Sequence, residues 1–408
     1  MYFDLTSKSA MLLVFFLHGL IMCVLLLVKA SPQRKGSGYW LGAFVFLASL
    51  YIAPFVFGYA GWYGRQPYRN ILFYLPLQQL LLLPPVLYFY IRSLLDPGFV
   101  FLRRHWLHFL PAGLYLVYAL VVYLGDVVIM QEAYFYSDGR DKDLSPWYQV
   151  AGFVSFAIYL LLSLRFYARY RRVSYELTSF ADEIQFKWIR HFLIAFVLLL
   201  LIRALFFGLN PEWSGFGRKF WYYLCFALLA YYISISGYIN LIQSLTSLRL
   251  FQSPEARWQE GLEQPLATIA EPEEAGEADV QVVLPDLEEW KQELDMLMKE
   301  KKLYENHTLT ISDTATALSL PAKKLSQVIN QGFGVNFNDY VNGHRVAAVI
   351  AKLQKGEQNL QTLLGIAFDC GFNSKSTFNR AFKKHTSLAP KDYLASMQRD
   401  KEDEASGS

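Results

Sequence analysis

The sequence predicts an all-α protein: a polytopic bundle of seven transmembrane helices, followed by a domain with two helix-turn-helix units. Apolar residues make up 54% of the 408 residues and charged residues only 18%. The apolar residues are concentrated in about the first three-fifths of the chain, where they form runs of about 20 residues. The last hundred or so residues instead contain short helical patterns separated by turns.

Each apolar run is long enough for a helix that crosses the hydrocarbon core of a membrane. Backbone groups in lipid must be paired, so each run is interpreted as a helix. Tryptophans lie at or near the ends of most runs, where amphipathic rings favour the membrane interface. The runs cover residues 10–28, 39–60, 70–93, 105–125, 147–168, 188–209 and 217–240. We therefore expect a seven-span sensor domain over residues 1–243, in contact with membrane lipid.

The basic residues of the loops predict the orientation of this domain. If the N-terminus is outside, the inner loops hold twelve Lys and Arg residues and the outer loops hold six. Cytoplasmic loops carry the excess of basic residues in multi-pass proteins. The sequence therefore predicts a periplasmic N-terminus and a cytoplasmic C-terminal domain.

The composition changes after the last apolar run. Residues 244–285 contain prolines and a run of acids, which predicts a flexible linker. Residues 286–302 predict an amphipathic connecting helix, because Leu287, Trp290, Leu294 and Leu297 form one apolar stripe. This stripe either packs on the domain that follows or pairs two chains. Residues 397–408 are expected to be a disordered charged tail.

Residues 303–396 alternate short helices with tight turns, and the arrangement occurs twice. In the first copy, a turn at 319–321 leads into a helix with Leu325, Val328 and Ile329 on one face. In the second copy, Gly371 supplies the tight turn and Ser374 the N-cap of the next helix. A helix over about 337–354 is expected to join the two copies. This pattern predicts two helix-turn-helix units.

A set of residues in and around the second copy carries a resemblance to a known family: Ile366, Ala367, Gly371, Phe372, Phe378, Arg380, Phe382, Lys383, Ala389, Pro390 and Tyr393. Through these residues, the region from Leu303 to Tyr393 resembles the DNA-binding domain of the AraC/XylS family of bacterial transcription activators. Ser387 stands where that family usually has glycine, and Leu394 stands where arginine is common. The whole layout is also similar to the membrane-anchored members of the family in Gram-negative bacteria, which implies a bacterial inner-membrane location. Double-stranded promoter DNA and RNA polymerase are the partners that the resemblance implies.

The charge of this region and its helix faces fit DNA. Between residues 301 and 398 there are twelve Lys and Arg against six Asp and Glu, the balance that a phosphate-facing surface needs. Arg can pair with guanine, and Gln or Asn with adenine, in the major groove. Lys383 and Lys384 are expected to contact phosphates, which position a protein without reading sequence. The resemblance places base-reading side chains at Lys323, Ser326, Gln327, Lys375, Ser376, Asn379 and Arg380.

Other classes of function fit the sequence less well. An enzyme is not expected, because the chain has no HExxH, GxSxG, Walker or CxxC motif. The three cysteines are far apart, so no metal site or cofactor is expected either. A retinal photoreceptor needs a lysine deep in its last helix, and the last apolar run has none. A transporter or channel needs several ionisable groups inside its spans, and this chain has few.

The few polar groups inside the runs are candidates for a ligand-sensing site. Arg203 in the sixth run either snorkels or pairs with helix carbonyls, or it faces a cavity and meets an anionic group on a ligand. Pro84 and Pro85 lie inside the third run, where a kink would open a pocket beside two glutamines. The candidate residues are Arg203, Gln78, Gln79 and His18.

The sequence therefore predicts a one-component transcription regulator. Its membrane domain is expected to sense a small-molecule, lipid or peptide signal, and its C-terminal domain to bind promoter DNA as part of a homodimer. The alternative is that the membrane domain only anchors a DNA-binding regulator whose signal is sensed elsewhere.

Overall fold

A computed structural model describes residues 3–30, 36–96, 99–137, 139, 141–181, 187–209, 219–250 and 286–406. The chain divides into two compact units. The first contains Met1–Tyr167 and Lys187–Glu271, and the second contains Ala168–Phe186 and Pro272–Ser408. Within the described ranges the chain is helical, and its β-structure is a single antiparallel bridge between Thr178 and Thr310. The prediction of an all-α fold is confirmed. Most of the predicted linker, from residue 251 to 285, lies outside the described residues.

Among the described residues, eight helices follow one another through the apolar part of the chain. A 3₁₀ helix over Arg103–Phe109 leads into the fifth of them, and a π-helical segment over Leu124–Met130 continues it. The sixth helix begins in the first unit and ends in the second. The helices are α1 (Ser7–Lys29), α2 (Ser37–Tyr59), α3 (Tyr68–Tyr74), α4 (Leu83–Leu95), α5 (Leu110–Tyr123), α6 (Pro146–Leu177), α7 (Lys187–Leu209) and α8 (Phe220–Leu250).

Among the described residues, five helices are long and apolar enough to cross a membrane, so the predicted count of seven is wrong. The third and sixth predicted runs are the two that differ. The third run is divided between α3 and α4, and α4 has only 13 residues. The sixth run forms α7, which borders undescribed residues and is not one of the five. The five are Ser7–Lys29, Ser37–Tyr59, Arg103–Met130, Pro146–Leu177 and Phe220–Leu241.

Proline explains why the third run is broken. Helix α3 ends just before Leu75, which is extended and precedes Pro76, and proline disfavours helical geometry at the residue before it. Pro84 and Pro85 occupy the first turn of α4, where a missing N–H group costs nothing. The two prolines therefore begin a new helix, whereas the sequence predicted a kink within a continuous one.

Helix α2 lies at the centre of the first unit. In its most apolar window 72% of the residues are buried, against 28% for α1 and 17% for Arg103–Met130. The outer faces of the peripheral helices are apolar and exposed, as at Val14, Ile21 and Val28 of α1. Exposed apolar faces of this length fit contact with lipid.

Seven helices follow in the second unit. Ser374 caps the sixth of them by accepting a hydrogen bond from the backbone N–H of Thr377, as predicted. The helices are α9 (Leu287–Lys301), α10 (Ile311–Ala317), α11 (Ala322–Phe333), α12 (Phe337–Gln354), α13 (Leu363–Asp369), α14 (Lys375–Thr386) and α15 (Pro390–Ser406).

Two apolar clusters form the core of the second unit, and α12 contributes to both. Phe337 and Val341 from its first half join one cluster, with buried residues of α9, α10 and α11. Val346 and Val349 from its second half join the other cluster, with buried residues of α13 and α14. One continuous helix therefore holds the two halves of the domain together.

Helix α9 is part of the first of these clusters. Leu294 and Met298 are fully buried there, and Leu297 is nearly so. Trp290 lies under the ammonium group of Lys324 of α11, with the nitrogen 4.6 Å from the ring centre. The apolar stripe of this helix is therefore used within the domain, and the boundary predicted at residue 303 falls inside one packed body.

The predicted membrane domain, residues 1–243, also differs from the observed division. Ala168–Phe186 belongs to the second unit. Leu177, at the end of α6, packs against the first core cluster of that unit, and Ser179 and Ala181 are fully buried. The end of α6 and the residues after it are thus built into the C-terminal domain, which hydrophobic runs alone do not indicate.

Candidate nucleic-acid interface

Each of the two predicted helix-turn-helix units has the same turn between its helices. After α10, Ser319 adopts a left-handed conformation with φ of 57°, and after α13 Gly371 does so with φ of 93°. In both turns the chain bonds back to the preceding helix: Leu320 N–H donates to Ala315 and Phe372 N–H to Ala367. This pattern is the Schellman motif, which closes a helix and reverses the chain.

Gly371 is required by this geometry. Its φ is positive, and a Cβ atom at this position would lie 2.1 Å from the carbonyl oxygen of Tyr304. That contact is to backbone, which has little freedom to move. The role predicted for this glycine, a tight turn between two helices, is the role that it has.

The second helix of each unit buries its apolar face and exposes its polar face. Leu325, Val328 and Ile329 of α11 are fully buried, as are Phe378 and Phe382 of α14 to within 2%. Ser326 is partly buried. The other predicted DNA-contacting side chains are exposed: Lys323, Gln327, Lys375, Ser376, Asn379, Arg380, Lys383 and Lys384. The structure therefore places the predicted residues on the outward faces of two amphipathic helices.

Two of these side chains have partners within the second unit. The Lys384 ammonium group lies 2.6 Å from a carboxylate oxygen of Asp339 on α12. Arg380 Nη1 donates to the hydroxyl of Tyr175 at 2.8 Å, and its guanidinium lies 5.5 Å from the centre of that ring. Arg380 is thus held in place by a residue near the end of α6.

Residues 314–396 match the helix-turn-helix domain family. Over 80 residues, or 20% of this chain, the chain is 34% identical to the HTH-type transcriptional activator RhaS of Mannheimia succiniciproducens. The match spans 29% of the length of that relative. No solved structure matches the chain significantly. The family match supports a helix-turn-helix domain over residues 314–396. We refer below to residues 286–406 as the helix-turn-helix domain.

The second helices of the two units, α11 and α14, end in the same way but with different residues. Helix α11 ends at Gly334 with φ of 68°, and α14 ends at Ser387 with φ of 63°. In each case the N–H group of the capping residue donates to the carbonyl of the residue four positions earlier, Gly334 to Asn330 and Ser387 to Lys383. A left-handed conformation is unfavourable for residues other than glycine. Ser387 therefore carries a backbone cost that Gly334 avoids.

We expect Ser387→Gly to stabilise the helix-turn-helix domain by about 0.5–1 kcal/mol, because glycine removes the left-handed penalty at this cap. The change in stability is measured in two ways, by thermal unfolding of the domain and by hydrogen exchange of the amides within α14. Ser396→Gly is the matched control: it places glycine inside helix α15, where we expect a loss of about 0.5 kcal/mol. An unchanged or lower stability for Ser387→Gly would contradict this account of the cap.

In the first unit, two of the four candidate ligand-sensing residues belong to one buried polar network. Arg203 Nη2 donates to the side-chain oxygen of Gln149 at 2.8 Å, and the amide nitrogen of Gln149 donates to the side-chain oxygen of Gln78 at 2.8 Å. Arg203 also donates to the hydroxyl of Tyr51 at 3.3 Å. Gln78 and Arg203, 125 positions apart in the sequence, are thus joined through one side chain.

The network satisfies the backbone where the third run is broken. Gln78 N–H donates to a carboxylate oxygen of Asp143 at 2.8 Å, and Tyr148 donates from its hydroxyl to the Gln78 carbonyl at 2.6 Å. The hydroxyl of Tyr148 in turn accepts from Leu80 N–H at 3.1 Å. Irregular backbone at membrane depth is tolerated only where protein groups pair with it. The break and its polar partners therefore form one structural unit.

The other two candidate residues lie apart from this network. The amide nitrogen of Gln79 donates to the Pro76 carbonyl at 2.6 Å, and His18 shares a hydrogen bond of 2.9 Å with Ser234. Arg203 and His18 each line a small cavity of about 10 Å³, no more than one water molecule needs. The expected pocket beside Gln78 and Gln79 stays a prediction.

A pair of buried carboxylates lies next to the network, in the loop before α6. Tyr63 donates from its hydroxyl to Asp141 at 2.5 Å, Tyr115 donates to Asp143, and Asp143 N–H donates to Asp141 at 2.9 Å. Burial raises the pKa of Asp143 to about 6. Burial and the neighbouring charge of Asp143 also raise the pKa of Asp141.

Four residues with these roles were not predicted from the sequence: Gln149 in the polar network, Asp141 and Asp143 in the carboxylate pair, and Tyr175 beside Arg380. Gln149 is an amide in an apolar run, the kind of residue that marks an interior polar site, and could have been chosen on that ground. The buried roles of Asp141 and Asp143 have no sequence signal, because acids in a loop are usually solvated. Tyr175 follows four basic residues at the end of a predicted span, where an aromatic residue is expected at the interface.

Proposed function

We propose that this chain is a membrane-embedded, one-component transcription regulator: the membrane domain senses a signal, and the helix-turn-helix domain binds promoter DNA in the major groove. The observation that carries the DNA-binding part is the pair of amphipathic helices, α11 and α14. Each buries an apolar face in a shared core and presents exposed basic and amide side chains. Such side chains read base edges and phosphates.

The organisation of the first unit supports a sensing role over a passive anchor. One hydrophobic helix is enough to anchor a protein, whereas five helices here are long and apolar enough to span. Burying the polar network around Gln78 has a desolvation cost, and a domain that only anchors the protein does not need such a network. The signal that we propose is a small molecule, lipid or peptide that favours one arrangement of these helices.

Contacts within the first unit support a periplasmic N-terminus. Arg65 and Asp4 form an ion pair of 2.8 Å, and Tyr63 bonds to Asp141, so the N-terminal residues and two loops meet at one end. Trp40 packs at the other end, 5.4 Å from Phe101. Arg103 and Arg104 lie two and three positions after Phe101, as the basic side of the membrane requires.

We expect a reporter enzyme that is active only in the periplasm to be active when fused after Glu132 and inactive when fused after Gln398. The reason is that the loop before α6 lies at the same end of the first unit as the N-terminus, through the bond of Tyr63 to Asp141, whereas the C-terminal domain is proposed to be cytoplasmic. Fusions to a reporter that works only in the cytoplasm are the control, and should give the reverse pattern. An active periplasmic reporter after Gln398 would contradict the proposed topology.

DNA binding itself is tested with the full chain in lipid nanodiscs. Duplexes bound by the protein are enriched from a random-sequence pool through several rounds and sequenced. We expect a recurring motif that contains two separated half-sites, one for each reading helix, and a steep fall of affinity with salt. A pool that stays random would contradict the proposed function. Pairing of two chains in one membrane would further raise DNA affinity, because the second chain is held at a high effective concentration. RNA polymerase is the proposed downstream partner.

A further inference from the structure

The residues that end α6 and follow it are held firmly inside the second unit. We call residues 174–181 the docked segment. Ser179 N–H donates to the Leu309 carbonyl at 3.1 Å, and Thr178 forms the antiparallel bridge with Thr310. The side-chain amide of Asn338, fully buried in α12, donates to the Thr178 carbonyl at 3.1 Å. The segment pairs with the domain as an edge strand would.

A buried arginine joins the docked segment to the helix-turn-helix domain. Arg345 is fully buried, and it donates to the carbonyl of Ser179 at 3.2 Å and to its hydroxyl at 3.0 Å. It also donates to the carbonyls of Tyr304 at 2.8 Å and Asn306 at 2.7 Å. A buried charge is costly unless it is fully hydrogen-bonded. Part of this pairing comes from the docked segment, so the domain is incomplete without it.

The docked segment places one aromatic residue on the DNA-reading surface. Tyr175 lies on the last turn of α6, and both its hydroxyl and its ring contact Arg380 of α14. Arg380 is otherwise exposed and is the side chain best suited to pair with a guanine edge. A guanidinium that is bonded to a phenol and lies beside its ring is not available to a base in the same position.

We propose that the docked segment is an autoinhibitory contact, in which Tyr175 occupies Arg380 and must withdraw before α14 can enter the major groove. This inference rests on the proposed function. Helix α6 is continuous from Pro146 to Leu177, so Tyr175 lies on the same helix as the apolar residues of its first part. Shifts of 1–2 Å, or rotations of a helix, are typical of such switches. A signal that moves α6 would thus act on the reading surface without a separate relay domain.

The test compares DNA binding by the wild type and Tyr175→Ala, each as the full chain in nanodiscs of phosphatidylethanolamine and phosphatidylglycerol. Each protein is used separately to select duplexes from the random-sequence pool. The affinity of each protein for the selected duplex is then measured by gel shift at one salt concentration. We expect Tyr175→Ala to bind about three- to tenfold more tightly, the size of effect that one hydrogen bond and one cation–π contact allow. Tyr175→Phe keeps the ring and loses the hydrogen bond, so its affinity should lie between the two.

Tyr134→Ala is the matched control, because it removes an exposed tyrosine from the first unit and should leave DNA affinity unchanged. Hydrogen exchange within α14 verifies that each variant is folded, and Tyr175→Phe carries the test if the alanine variant is not. Equal affinity for the wild type and the Tyr175 variants would overturn the inference. Weaker binding would also overturn it, since Tyr175 would then position Arg380 for DNA.

A different result identifies failure of the proposed function. If neither the wild type nor Tyr175→Ala enriches any sequence from the pool, the domain does not bind DNA sequence-specifically. The contact between Tyr175 and Arg380 then does not block a DNA-binding surface. If both enrich the same motif with equal affinity, DNA binding stands and only the autoinhibitory contact is excluded.

Discussion

Replacing Arg345 with methionine is expected to destabilise the helix-turn-helix domain by about 3–5 kcal/mol, the largest effect of any single substitution considered. Methionine fills similar space but leaves three carbonyl groups, those of Tyr304, Asn306 and Ser179, without this donor. Domains of this size have only about 5–15 kcal/mol of stability. Hydrogen exchange of the full chain in nanodiscs, read on peptides from α12, reports the loss as a lower free energy of opening.

The conservative variant and a surface arginine make this result interpretable. Arg345→Lys keeps the charge but lacks the fork that reaches several carbonyls at once, so we expect an intermediate loss. Arg399→Ala removes an exposed arginine and should change stability by less than about 0.5 kcal/mol. If Arg345→Met were as stable as the wild type, the buried arginine would not hold the docked segment and the domain together.

We expect Arg380→Ala to weaken binding to the selected duplex by about 1–3 kcal/mol, or roughly 5- to 150-fold, because one bidentate base contact is lost. The side chain is exposed, so the fold should be unchanged by circular dichroism. Specificity should relax at one base pair of the motif. Wild-type affinity in a folded Arg380→Ala protein would contradict the role of α14 in reading DNA.

Two further variants separate base reading from the contact with Tyr175. Arg380→Ala removes the proposed autoinhibitory contact as well as the base contact. The measured change in DNA affinity is therefore the loss from the base contact, reduced by the gain from removing the autoinhibitory contact. In a Tyr175→Ala background the contact with Tyr175 is already absent, and the effect of Arg380→Ala should be larger. Lys383→Ala should instead weaken binding to all duplexes alike and reduce the salt dependence by about one ion, as loss of a phosphate contact does.

The helix-turn-helix domain was predictable from the sequence because its rules are local. Gly371 is needed for a turn with positive φ, Ser374 caps the next helix, and the apolar face of α14 shows in the spacing of Phe378 and Phe382. Each of these features depends on residues within a few positions of one another. The exposure of Asn379 and Arg380 then follows from helical geometry alone.

The apolar N-terminal part was predictable in kind but not in detail. Hydrophobic runs indicate that a segment can lie in lipid, and they do so at 70–93 as well as elsewhere. They do not show that the backbone breaks before Pro84, because the break depends on hydrogen-bond partners such as Asp143 and Tyr148 from another part of the chain. For the same reason they do not show that Gln149 bonds to Gln78.

Three features follow from the sequence alone, because they depend on short-range periodicity and composition: the helical class, the apolar character of the N-terminal part and the two amphipathic helices α11 and α14. Three contacts depend instead on how distant segments pack: Arg203 meets Gln78 through Gln149, Arg345 binds Ser179, and Tyr175 contacts Arg380. The last two contacts join residues 166 and 205 positions apart. Charged and aromatic side chains at such separations have many possible partners, and the packing of α6 and α12 selects among them.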